Sequence, residues 1–196
     1  MNDRMPLDIT LALPRWVRAF VAKVSGPFET DEARMGLVVS LARENVERET
    51  GGPFAAAVFA GRPARLLAVG VNVVVRARCS AAHAEMVALA LAQQAAQTHD
   101  LGAAAGAPCE LVTSTEPCAM CLGAVPWSGV RQLVCGALDT DARAIGFDEG
   151  SKPEDWQGEL RKRGISVMTG VCREEAIRCL EEYKQHGGII YNATRT

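Results

Sequence analysis

Two short clusters in the 196-residue chain carry side chains able to do chemistry together. In "AAHAEMVALA" (Ala81–Ala90), His83 and Glu85 open an alanine-rich, helix-forming run. About thirty residues later "EPCAMC" places Cys118 and Cys121 as C-x-x-C. At a helix start, positions i and i+3 share a face, so both sulfurs can reach one ion. The helix N-terminus also favours thiolate over thiol. His83, at the head of a neighbouring helix, supplies a third ligand. Three ligands without a fourth is the pattern of a catalytic zinc, which keeps a position open for water. Two thiolates leave such a site nearly neutral and a weaker acidifier of water than three imidazoles. A nearby carboxylate that takes and passes on a proton is then needed, and Glu85 is placed for that role.

Each half alone is a weak signal. An isolated H-x-E on a helix is commonly structural, and an isolated C-x-x-C can be a redox pair, although Ala119-Met120 between the cysteines lends that no support. A structural zinc would want a fourth ligand, and His99 and His186 are remote and lie in polar contexts. Jointly, H-x-E followed by P-C-x-x-C is the signature of zinc-dependent nucleobase deaminases.

From about "EARMGLVVSLARENV" to "GIIYNA" the chain resembles the cytidine deaminase superfamily and, within it, the bacterial guanine deaminases. The narrower marks are "GGPFAAAVF", "GVNVVV", "CSAAHAE", "TSTEPCAMCLGAVPWSGV" and "AIGFDEG". A tRNA-adenosine deaminase would share the two zinc motifs but not the acidic "GFDEG" loop. The resemblance implies hydrolysis of guanine to xanthine and ammonia, a step of purine catabolism or salvage. It implies one Zn2+ per chain on His83, Cys118 and Cys121, with Glu85 moving protons. Asn72 matches a substrate-binding asparagine; a turn between strands is its ordinary alternative. Glu149 matches the acidic residue that contacts the purine edge and helps release ammonia; otherwise it is a solvated loop charge. Phe54 and Trp127 match aromatics near the base and could equally be core. The family forms dimers with an exchanged C-terminal segment. Gly187-Gly188 followed by "IIYNA" has the form of a hinge and strand, with Tyr191 placed near a pocket. The competing readings are another zinc deaminase, acting on tRNA adenosine, cytosine or a nucleoside, and a non-catalytic module folded by zinc. Retention of Glu85 speaks against the second.

These motifs need elements to hold them. Residues 1–29 have weak periodicity and form an N-terminal appendage to a deaminase domain spanning 30–196, of which 187–196 is the segment for exchange. From Asp31 an amphipathic helix puts Met35, Val38, Val39 and Leu41 on one stripe, with Thr30 or Asp31 as its cap and Gly51-Gly52 as its stop. "PFAAAVFA" and "ARLLAVGVNVVV" read as strands joined by "GRP". A helix over 82–98, capped by Ser80, follows. Next come a strand ending before Pro117, a short helix from Cys118, the strand "VRQLVCGAL", a loop-rich "DTDARAIGFDEG", the strand "GISVMTG" and a helix in "VCREEAIRCLEEYKQH". This order specifies an α/β fold, a three-layer αβα arrangement around a central mixed sheet of the cytidine-deaminase-like kind.

The balance of 21 Lys+Arg against 23 Asp+Glu, a net charge of -2, argues against broad capture of nucleic acid. No run approaches the roughly 18 apolar residues of a membrane span, and the N-terminus lacks the order of a secretory signal. Seven cysteines, odd in number and irregularly spaced, fit a reducing, cytoplasmic setting rather than a disulfide framework. The expected partner is a small molecule, guanine, together with a second copy of the chain.

Overall fold

A computed structural model describes residues 6–24, 28–104 and 106–192. Five strands, β1 (Ala55–Ala60), β2 (Arg65–Val71), β3 (Cys109–Thr115), β4 (Gln132–Ala137) and β5 (Ser166–Met168), form one sheet in the order β2-β1-β3-β4-β5. The first three pair antiparallel, while β3, β4 and β5 run parallel. The nine helices of the described residues are α1 (Arg15–Lys23), α2 (Asp31–Glu47), α3 (Val74–Ala77), α4 (Ala84–Ala96), α5 (Leu101–Ala104), α6 (Ala119–Ser128), α7 (Asp139–Ile145), α8 (Trp156–Arg161) and α9 (Arg173–Gln185).

Strand periodicity explains the layers. Successive side chains point to opposite faces, so β1 sends Ala55, Ala57 and Phe59 into a core shared with α1, α2, α7 and α9. It sends Ala56, Val58 and Ala60 into a second core with α4, α6 and α8. A strand buried on both faces carries no polar alternation, which is why "AAAVFA" reads as a continuous apolar run. The three-layer αβα architecture around a mixed sheet is thus the one the sequence specifies.

Several local expectations change. "VNVVV" does not continue β2. Asn72 ends the strand, its Oδ1 accepts from Val74 N at 3.3 Å, and Val74–Ala77 turns into α3. The stretch expected to be loop-rich contains α7, whose start is held by Asp141 Oδ2 accepting from Leu138 N at 2.8 Å. Ser80 does not cap α4; His83 takes the position immediately before it. The "IIYNA" stretch is irregular over its described residues and joins no strand. Thr30 does cap α2, accepting from Ala33 N at 3.1 Å. Of the expected N-terminal appendage, 1–5 and 25–27 lie outside the described residues, as do 193–196 of the C-terminal segment. The appendage contains α1, which lays Val17 on the core and donates from Trp16 Nε1 to Thr50 Oγ1 at 3.0 Å.

Three buried polar residues brace the frame. Arg34 Nε of α2 meets Glu110 Oε1 of β3 at 2.6 Å, both side chains 3% exposed, so each buried charge has its counter-charge. Asn45, fully buried, donates from Nδ2 to Gly52 O and Asn72 O, both at 2.9 Å. That amide pins the end of β2 beside the entry to β1. It thereby fixes where Asn72 and Phe54 stand.

Candidate metal centre and substrate pocket

The residues immediately before α4 and α6 are His83 and Cys118. Both have extended backbone, and His83 makes no side-chain bond to cap its helix, while Cys118 turns its sulfur towards Cys121. The two side chains meet, Cys118 Sγ lying 3.5 Å from His83 Nδ1. Cys121, one turn into α6, is fully buried and completes a group whose ligand atoms all lie within 4.8 Å of one another. Among the described residues no fourth His, Cys, Asp or Glu joins them. Gly70 makes the approach of α4 possible: a Cβ there would stand 2.1 Å from Ala84 O. The helix start can therefore sit directly on β2.

The donor set fits zinc. Tetrahedral coordination at about 2.3 Å to sulfur and 2.0–2.1 Å to nitrogen puts ligand atoms roughly 3.5–3.8 Å apart; Cys118 Sγ and His83 Nδ1 stand at 3.5 Å and all three atoms lie within 4.8 Å. The thiols also behave as a shared donor pair. Hydrogen bonding from Cys121, with help from His83, draws Cys118 down to about 4. Cys121, holding the proton in that bond and deeply buried, is driven far up. Burial presses His83 towards its neutral form, yet the hydrogen bond with Cys118 and the charge of Glu85 carry it above its usual value. Such a knot of mutually perturbing groups is where a cation belongs.

Glu85, 7% exposed, stands on the first turn of α4. Burial raises its carboxyl pKa, with the Cys118 charge adding to the effect. It lines a cavity of about 250 Å³ together with His83, Cys118, Asn72, Glu149 and Tyr191. Glu149, 6% exposed, is pushed up to about 8, chiefly by burial and then by the charges of Cys118 and Glu85. Its main-chain carbonyl accepts from Ala119 N at 2.9 Å, so the first turn of the cysteine helix holds the acidic loop. Gly150 beside it has φ +70°, and a Cβ there would come within 2.9 Å of Ala119 Cβ. Lys152 Nζ reaches Pro117 O at 3.0 Å and Asp139 Oδ1 at 2.6 Å, and Arg143 donates to Gly150 O at 2.8 Å. These contacts stitch the loop to the metal-binding turn.

Asn72 is 1% exposed, and its Nδ2 donates to Tyr191 Oη at 2.7 Å. The segment containing Tyr191 folds over its own chain's pocket. Phe54 lies edge-on to Phe147 at 4.9 Å, and Phe147 lies 5.1 Å from Tyr191, giving the cavity an aromatic wall. Trp127 is a correction: it is 85% exposed and lines a different depression with Pro126 and Trp156. Nine positions beyond Cys118, about two and a half helical turns, it faces away from the metal ligands. Sequence reasoning missed Phe147, Thr115, Glu116 and Asn192, all of which line the cavity. Phe147 stood within the quoted "GFDEG" loop, the nearest thing to a signal.

The family model for the cytidine and deoxycytidylate deaminase zinc-binding region matches residues 28–137. Guanine deaminase of Bacillus subtilis is 39% identical over 111 residues, 57% of this chain and 67% of that protein. The structure is similar to that of the guanine deaminase from Nitrosomonas europaea, with TM-score 0.83 and 51% identity over 94% of this chain and 98% of that one. It is also similar to a crystal structure in complex with 2,6-diaminopurine, with TM-score 0.85 and 52% identity over 94% and 97% of the two chains.

Proposed function

The chain belongs to the cytidine and deoxycytidylate deaminase family, and from that premise we propose that it hydrolyses guanine to xanthine and ammonia. The observation that carries this is the pair of buried carboxyls, Glu85 and Glu149, in one small cavity beside a three-ligand metal site. Likeness to a guanine deaminase over nearly the whole chain, and to a complex with a diaminopurine, supports the choice of base.

His83, Cys118 and Cys121 hold zinc, which when bound supplies a Lewis acid that makes water nucleophilic near neutral pH. The chain does the rest. Glu85 takes one proton from the attacking water and passes it to the ring nitrogen as the oxygen bonds to the amino-bearing carbon. It then carries the second proton of that oxygen to the amino group, which leaves as ammonia as the C–N bond breaks and the C=O forms. Glu149, as carboxylate, accepts from the ring N–H and the amino group of guanine, two donors side by side. Asn72 hydrogen-bonds the base, its amide set by Tyr191. Phe54, Phe147 and Tyr191 offer ring surfaces that flank a planar ligand and keep bulk water out. A cavity of about 250 Å³ lies just below the usual size of ligand sites and suits a free base better than a nucleotide in a long strand. Cytosine and adenine lack the paired donor edge, so Glu149 discriminates against them.

Ammonia release on a panel of guanine, cytosine, adenine, their nucleosides and tRNA tests the assignment. Turnover of guanine at least tenfold above the others is expected; preference for a nucleoside or tRNA would replace it with another zinc deaminase. The same reading makes the protein a cytoplasmic homodimer. Gly187, with φ +70°, is the hinge about which the C-terminal segment would pass to a second copy, making there the contacts that Tyr191 and Asn192 make within this chain. Sedimentation of the full chain and of a truncation after Gly187 tests both statements.

A further inference from the structure

Residues 146–150, which carry Glu149, belong to no helix or strand. On one side the loop is held by Ala119 N donating to Glu149 O. On the other it is gripped by Asn192, near the end of the described chain. Asn192 Nδ2 donates to Gly146 O at 2.9 Å, and its Oδ1 accepts from Asp148 N at 2.9 Å. Both bonds fix the same orientation of the amide, and only an amide offers donor and acceptor at that spacing. The two carbonyl and N–H groups it satisfies flank Phe147, the ring of the aromatic wall, and the second immediately precedes Glu149.

We infer that Asn192 is a positioning residue for Glu149, setting the carboxyl's place at the purine edge through the backbone of Asp148. This rests on Glu149 as the residue that reads guanine. It assigns the end of the chain a part in substrate specificity beyond covering the pocket. Asn192 is exposed and contributes nothing to either core, so its loss leaves the fold intact. A carboxyl displaced by a fraction of an ångström no longer meets both purine donors.

The experiment is a double-mutant cycle on guanine kinetics in the zinc-loaded protein, with Asn192→Ala, Glu149→Ala and the pair. Asn192→Ala should lower kcat/KM for guanine about tenfold, the loss of one to two good hydrogen bonds. The loss should fall mainly on KM, with zinc content and thermal midpoint unchanged. In the Glu149→Ala background the same substitution should change kcat/KM less than about twofold. Equal losses in both backgrounds would overturn the inference, and so would kinetics that Asn192→Ala leaves untouched. If Glu149→Ala itself retains wild-type guanine kinetics, the assignment of Glu149 fails instead, and the single variants tell the two failures apart.

Discussion

Tyr191 Oη accepts a 2.7 Å hydrogen bond from Asn72 Nδ2, joining residues 119 positions apart in the wall of the cavity. Asn72 Oδ1 is meanwhile engaged by Val74 N, so the amide is fixed in one orientation in the cavity wall. Tyr191→Phe keeps the ring against Phe147 and removes only this acceptor. The expected outcome is a rise of about three- to tenfold in KM for guanine, with kcat less affected. In an Asn72→Ala background the same substitution should have little effect. Steady-state kinetics of the three variants check this, and strictly additive losses would mean that the phenol touches substrate itself.

Glu85→Gln should yield a folded protein with near-stoichiometric zinc and turnover reduced at least about a hundredfold, the usual contribution of a positioned proton carrier. Zinc content by elemental analysis and single-turnover ammonia release decide it. A metal-free variant would make Glu85 a ligand and reopen the coordination assigned to His83, Cys118 and Cys121.

Cys118→Ala should lose zinc and lower the thermal midpoint of the protein as isolated. Metal binding joins the starts of α4 and α6, and its free energy is available to the folded state alone. Added zinc should raise the wild-type midpoint and leave the variant's where it is. A variant that keeps full zinc occupancy would remove Cys118 from the site.

The grouping of His83, Cys118 and Cys121, with Glu85 in the same cavity wall as His83 and Cys118, was legible because a metal-binding deaminase chemistry demands particular residue types at fixed short spacings. The sheet was legible because strands buried on both faces leave continuous apolar runs, as in "AAAVFA". What stayed hidden depends on long-range contact. Ser80 looked the better cap for α4, yet the residue that precedes the helix is His83, which turns to Cys118 and leaves its own helix uncapped. Trp127 follows the cysteine motif so closely in sequence that only the helical turn shows it leaving the site. Asn192 carries no local signal: its two partners lie 46 and 44 residues away. "DTDARAI" is rich in residues that favour turns, and only the Asp141 bond to Leu138 and the Arg173 contacts with Asp141 settle it as helix.

Gly150→Ala tests the seating of the acidic loop. The substitution adds a Cβ where Ala119 Cβ stands 2.9 Å away, at a φ of +70° that L side chains rarely adopt. The loop must shift and carry Glu149 with it. Guanine kcat/KM should fall by more than about tenfold while zinc stays bound, since the ligand residues are untouched. Guanine kinetics beside metal analysis check it; unchanged kinetics would show that the loop yields without moving the carboxyl.

The last prediction concerns the cost of keeping Glu149 in the pocket. Burial lifts its pKa from an ordinary 4.5 to about 8, so the folded chain binds that proton more tightly than the unfolded chain. Below the unfolded value both states are protonated, and Glu149 takes nothing from stability. As pH climbs from about 4.5 towards 8 the unfolded chain ionises first, and stability drains away until the folded carboxyl also titrates. Glu85 is shifted in the same direction, so the two residues act together. Glu149→Gln mimics the protonated form and removes this penalty. After zinc is stripped with a chelator, the variant should therefore melt higher than the wild type at pH 8 and at nearly the same temperature at pH 4.5. A difference of about 1 kcal/mol corresponds to roughly 2–4 °C in a chain of this size. Loading zinc should narrow the gap, because a nearby cation favours the carboxylate. The same substitution replaces an acceptor with a donor facing the purine's donors, and should cost about ten- to a hundredfold in guanine kcat/KM. Thermal melts at the two pH values, with and without zinc, beside guanine kinetics would read both effects from one variant. A variant that is slower but no more stable at pH 8 without zinc would mean that Glu149 is ionised at no cost in the empty pocket.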